Sequence, residues 1–74
     1  MASEYRKKVM LALKDKSSTP STISDKTQLH LSHVSMILVQ LTEKNLVVCL
    51  TPKLKKGRLY ELTKKGRNIL QHLS

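Results

Sequence analysis

Aromatic side chains are nearly absent from this 74-residue chain, which has two tyrosines, Tyr5 and Tyr60, and no tryptophan or phenylalanine. Proteins that hold single-stranded nucleic acid usually stack its bases on several aromatic rings, so that mode of binding is disfavoured. Any core must instead be built from Leu, Val, Ile and Met. A single cysteine, Cys49, cannot close an intrachain disulfide or assemble a zinc site, and it reads as a small apolar residue in a reducing setting. No apolar run approaches the ~18 residues of a membrane span, and the first residues carry no signal-peptide h-region. The expected location is therefore cytoplasmic, at the nucleoid, with no membrane partner. Carboxylates are few, five in all and scattered singly, and the only glycines are Gly57 and Gly66. This leaves no paired acids for acid–base work, no glycine-rich phosphate loop, no Ser–His–Asp set and no metal-ligand spacing. We therefore expect no enzyme activity, cofactor, metal or small-molecule substrate. A chain of this length makes one small domain, residues 1–74, too small to fold and also to enclose a deep cleft.

Basic residues, by contrast, are plentiful: 14 Lys and Arg against five Asp and Glu give a net charge of +9. A small domain of that charge points to a polyanion, nucleic acid first.

The chain is organised around the stretch from His30 to Leu46. Val34, Ile37, Leu38 and Leu41 recur at i, i+3, i+4 and i+7, an arc of roughly 100° that defines one buried stripe of a helix. Ser32 is the expected N-cap, and Asn45 the expected left-handed terminator. The opposite side carries Ser35, Met36, Val39, Gln40 and Glu43, a mixed polar and apolar surface suited to a DNA groove. Gln pairs with adenine in the major groove and apolar side chains meet the thymine methyl, so sites containing A·T are expected.

Around this helix the other elements follow in order. Met1 to Ser3 reads as a frayed end, and Glu4 to about Lys14 as a first helix with Tyr5, Val9, Ala12 and Leu13 on its core face. Met10 and Leu11 fall outside that stripe and belong either to a second packed side or to a contact with another chain. Arg6, Lys7 and Lys8 read as solvated. Asp15 to Ser18 is a polar linker with room for a very short strand. Thr19-Pro20 starts a second helix, Thr as cap and Pro at its first position, running to about Lys26 with Ile23 as sole apolar anchor. Thr27 to Leu31 is a tight turn with Leu29 and Leu31 inward, and two helices joined in this way make a helix-turn-helix. Leu46 to Thr51 and Arg58 to Leu62 read as the strands of a hairpin, with Val47 and Cys49 on one face of the first and Pro52 ending it. The tip carries Lys53, Lys55, Lys56 and Arg58, enough charge to neutralise several phosphates. Thr63 caps a last helix with Ile69, Leu70 and Leu73 on its apolar side. Gly66 in its first turn costs up to about 1 kcal/mol against Ala, which argues for close approach of another backbone.

The residues support a family resemblance as well. The runs Pro20-Ser21-Thr22-Ile23-Ser24, Leu31-Ser32-His33-Val34-Ser35 with Leu38 and Leu41, Glu43-Lys44-Asn45-Leu46-Val47, and Tyr60-Glu61-Leu62-Thr63-Lys64-Lys65-Gly66-Arg67 resemble the small winged-helix transcriptional regulators of prokaryotes, MarR-type proteins among them. The resemblance runs from about Glu4 to Leu73. It implies a mainly α winged helix-turn-helix of three to four helices with a two- or three-stranded wing, binding double-stranded DNA as a transcriptional regulator or nucleoid-associated protein. By position, Ser32, His33, Ser35, Met36, Val39 and Gln40 would enter the major groove, and Lys53, Lys55, Lys56 and Arg58 would lie on the backbone. The alternative is a winged-helix protein-interaction module of a larger complex such as a transcription assembly, to which the apolar Met36 and Val39 are suited. A homodimer through the first and last helices is a further expectation.

Overall fold

Among the described residues, twelve apolar side chains form the core, and every helix contributes to it. The computed structural model describes residues 2–73 in the order α1 (Ala2–Ala12), α2 (Pro20–Thr27), α3 (Leu31–Glu43), β1 (Val47–Cys49), β2 (Tyr60–Leu62) and α4 (Lys64–Leu73). From α1 come Val9 and Met10, with Leu13 just after its end, from α2 Ile23, from α3 Val34, Ile37, Leu38 and Leu41, and from α4 Leu70. Leu46, Val47 and Leu62 complete the core from the hairpin side. α1 lies against α2, α3 and α4 at once, which is why Met10, outside the first apolar stripe, is nevertheless buried. Its neighbour Leu11 stays exposed. Tyr5 departs from the expected core face. It lies at the surface, its ring edge-on to that of His33 with 4.9 Å between centroids.

Capping sets the helix limits. Thr19 accepts a hydrogen bond from the Thr22 backbone N–H at 3.2 Å, and Pro20 follows where no N–H is needed. α2 ends on Gln28 in the left-handed region at φ +63°, with its N–H on the Ser24 carbonyl. No glycine marks that position, so sequence pattern alone did not reveal it.

Two expectations about α3 are corrected. The helix starts at Leu31, two residues earlier than a Ser32 cap would allow, because the Val34 N–H already reaches the His30 carbonyl at 3.0 Å. His30 occupies the cap position without a side-chain bond, and Ser32 is an exposed residue of the first turn. Leu31 is likewise exposed, not turned inward, whereas Leu29 packs on the core. The far end is as expected. Asn45 sits at φ +62°, the Leu46 N–H bonds the Leu41 carbonyl at 2.9 Å, and the Asn45 N–H bonds Thr42 at 3.0 Å. That pair of bonds is a Schellman motif, with Asn in the place glycine usually fills.

The hairpin pairs Val47 with Leu62, Val48 with Glu61 and Cys49 with Tyr60, antiparallel. Its strands are shorter than the sequence pattern suggested, although a Leu50 N–H bond to the Leu59 carbonyl at 2.8 Å carries the pairing one step further. On the other edge of β2, Ser18 and Tyr60 exchange backbone bonds of 3.0 and 2.9 Å, giving the short third arm anticipated in the first linker. Thr63 caps α4 through the Gly66 N–H at 3.0 Å. Of the apolar residues expected on α4, Leu70 is buried and Ile69 half-buried, while the side chain of Leu73 lies outside the described residues, as does Met1. The described part of the expected N-terminal frayed end, Ala2 and Ser3, is helical.

Candidate nucleic-acid interface

The exposed side of α3 is bounded by a different element on each flank. On one flank lies the wing. Lys55, Lys56, Gly57 and Arg58 line an open groove of about 520 Å³ together with Ser35 and Val39 of α3 and Thr19, Pro20 and Ser21 at the start of α2. Leu31, Leu38 and Tyr60 complete its lining. The groove forms because the α2–α3 turn brings the start of α2 beside α3, while the Ser18–Tyr60 bridge fixes the root of the wing next to it.

The wing tip is internally braced. The Leu59 N–H bonds Thr51 Oγ1 at 3.0 Å, the Leu54 N–H bonds the Thr51 carbonyl at 3.1 Å, and Arg58 Nε donates to the Leu54 carbonyl. Gly57 adopts φ +66° with open space around it, so the tip needs its backbone freedom and not its lack of a side chain. Arg58 is half-buried, holds the loop and lines the groove; Lys53, Lys55 and Lys56 are exposed. Lys53 sits just after Pro52 and does not line the groove.

The other flank belongs to α1. Arg6 Nε donates to Gln40 Oε1 at 3.2 Å, across 34 positions of sequence, and Tyr5 meets His33 as described. Lys8 Nζ lies 5.9 Å from the Tyr5 ring centroid, within cation–π range. His33 and Gln40 are consequently half-buried, whereas Ser32, Ser35, Met36 and Val39 are exposed, Met36 at 55% and Val39 at 57%. The six expected groove residues therefore divide. Four project outward, with Ser35 and Val39 bordering the wing groove, and two are held against α1. Thr19, Pro20, Ser21, Tyr5 and Arg6 were not anticipated at this surface. Helical periodicity within one segment carries no signal for a contact between segments.

Among the described residues no group of three or more His, Cys, Asp or Glu converges as a metal site would require, and no helix is long and apolar enough to cross a membrane. Every buried side-chain nitrogen or oxygen among them has a hydrogen-bond partner.

Two helices joined by a tight turn, the second exposing a mixed face beside a basic hairpin, define a DNA-binding class, the helix-turn-helix proteins with a wing. The chain belongs to the winged helix-turn-helix family, whose family model matches residues 7–74. No protein of curated function matches by sequence. Among solved structures, a mutant of Lactococcus lactis ZitR superposes with a TM-score of 0.81 at 20% identity, over 95% of this chain and 49% of that one. A MarR family transcriptional regulator from Silicibacter pomeroyi DSS-3 gives 0.76 at 19% identity, over 92% and 48%. A candidate DNA-binding protein from Ralstonia eutropha JMP134 gives 0.79 at 22% identity, over 95% and 94%. The chain thus spans about half the length of the first two and nearly all of the third. The MarR-like resemblance read from the sequence holds for the fold.

Proposed function

We propose that residues 1–74 act as a single domain that binds double-stranded DNA, as a transcriptional regulator or nucleoid-associated protein and not as an enzyme. α3 enters the major groove through Ser32, Ser35, Met36 and Val39, with His33 and Gln40 at its edge. Lys53, Lys55, Lys56 and Arg58 sit on the neighbouring phosphates. The observation that carries this reading is the shared groove. Three of these cations, Lys55, Lys56 and Arg58, line the same depression as Ser35 and Val39, so a duplex seated on α3 brings a phosphate strand to the wing without rearrangement. The net charge of +9 supports it, since phosphate neutralisation supplies most sequence-independent affinity. The expected location is the cytoplasm, at the nucleoid. A homodimer through α1 and α4 accords with the exposure of Leu11, which borders a depression shared with Leu70 and Arg67.

The test is a salt titration of binding to a mixed-sequence duplex. Alanine at Lys55, Lys56 and Arg58 together should weaken binding to every sequence and flatten the log–log salt slope by about 0.9 for each phosphate no longer neutralised. Parental binding and slope in the triple variant would overturn the wing assignment.

A second reading draws on Met36 and Val39, both more than half exposed. On this reading the α3 face docks on a protein of a larger complex. A tight heteromer with no duplex binding at low salt would establish it in place of the first.

A further inference from the structure

The contact between α1 and α3 bears on which base Gln40 meets, an inference that rests on the DNA-binding reading above. Arg6 and Gln40 are both half-buried, and Arg6 Nε approaches one end of the Gln40 amide at 3.2 Å. A guanidinium has five N–H donors and no acceptor. The amide atom that faces it must therefore be the carbonyl oxygen, and chemistry fixes the orientation of the amide. Tyr5 against His33, about two turns away, places a second contact of α1 on the same flank of α3.

Glutamine recognises adenine in the major groove with both ends of its amide at once. The oxygen accepts from the adenine N6 amino group and the NH2 donates to N7. In this protein the oxygen is already directed at Arg6. The oxygen keeps a second lone pair, but a base that uses it must share it with the guanidinium, whereas the NH2, which only donates, is not engaged by Arg6.

We propose that Arg6 is a positioning residue that sets the polarity of base readout by Gln40. By competing for the carbonyl oxygen, it favours use of the NH2 group on hydrogen-bond acceptors, the N7 and O6 of guanine or the O4 of thymine, and weakens the bidentate match to adenine. Gln40 thus selects guanine or thymine on the strand it faces. The preference is encoded jointly by two helices, not by the recognition helix alone.

The experiment is selection from a randomised duplex library by the full chain, with Arg6→Met, Arg6→Lys, Gln40→Ala and the double variant Arg6→Met/Gln40→Ala run in parallel. The parent should show a guanine or thymine preference at one position, and Gln40→Ala should erase it at that position only. Arg6→Met, which keeps the aliphatic stem but no donor, should convert the same position to adenine. Arg6→Lys retains a donor and should restore the parental preference. The double variant should match Gln40→Ala, because Arg6 acts through Gln40. Three results would overturn the proposal: adenine already preferred by the parent, a position unchanged in Arg6→Met, or a uniform loss of affinity in Arg6→Met across all sequences with a salt slope shallower by about 0.9. The last would make Arg6 a phosphate contact. In each of these the chain still binds duplex DNA and the DNA-binding reading stands. Absence of salt-sensitive duplex binding by the parent would remove that reading itself, and the polarity proposal with it.

Discussion

The carbonyl oxygen of Leu46 fills the space where a side chain on Gly66 would begin, since a Cβ built there lies 2.1 Å from it. The same oxygen accepts the Thr63 N–H at 3.0 Å. The exit of α3 and the start of α4 are therefore in backbone contact, and glycine at this position is what permits it.

Gly66→Ala should consequently destabilise the protein, against the helix propensity that favours Ala by about 1 kcal/mol. Forcing a methyl into packed backbone costs typically about 1–3 kcal/mol. In a domain this small each kcal/mol lowers Tm by about 4–8 °C. Thermal unfolding followed by circular dichroism would register the fall, and a variant melting at or above the parent would show that the two segments separate freely.

Asn45 at φ +62° makes a paired test of the α3 terminus. Asn45→Gly should be neutral or slightly stabilising. Asn45→Val should cost about 1–2 kcal/mol, because a β-branched side chain is crowded in the left-handed region, which Asn tolerates through its short polar side chain. Denaturant midpoints at unchanged m-value would check the order of the two variants.

Thr63 uses one hydroxyl twice, donating to the Asn45 carbonyl at 2.6 Å and accepting from the Gly66 N–H at 3.0 Å. Thr63→Val keeps the shape and loses both bonds, and should cost about 1–2 kcal/mol. Thr63→Ser should stay within about 0.5 kcal/mol of the parent. Equal stabilities of the Val and Ser variants would mean that the cap contributes nothing.

Met36 and Val39 project from α3 without entering the core. Replacing both with Ser should shift stability by no more than about 0.5 kcal/mol, as surface changes do. Their role in DNA binding is best read by changing the DNA. Deoxyuridine in place of thymine removes one methyl from the groove, and the forfeited burial of about 0.8 kcal/mol weakens the parent about fourfold per contacted site. The double Ser variant should not distinguish the two duplexes. If the parent is equally indifferent, these side chains do not meet thymine.

Local pattern carried most of the fold. The i, i+3, i+4, i+7 spacing of Val34, Ile37, Leu38 and Leu41, Thr19-Pro20, the alternating residues from Leu46 and the capping Thr63 each depend on neighbours within a turn or two, so the residues themselves specify four helices and a hairpin. Gly66 even announced a long-range contact, because a glycine in a helix is a local cost that only a distant neighbour explains. The left-handed end of α2 at Gln28 and the early start of α3 at Leu31 were not legible. There the backbone follows the short α2–α3 turn and not the preference of the residue at the cap.

By itself, the sequence determined a basic chain poor in aromatic residues, and the stripe of α3 that is buried, since hydrophobic period and charge are properties of residue order. Only the tertiary structure decided which element flanks each side of α3. Arg6 stands 34 positions from Gln40, and the wing reaches Ser35 and Val39 only because β2 is pinned to Ser18. Contacts across such separations arise when the core closes, and the order of residues within any one helix does not contain them.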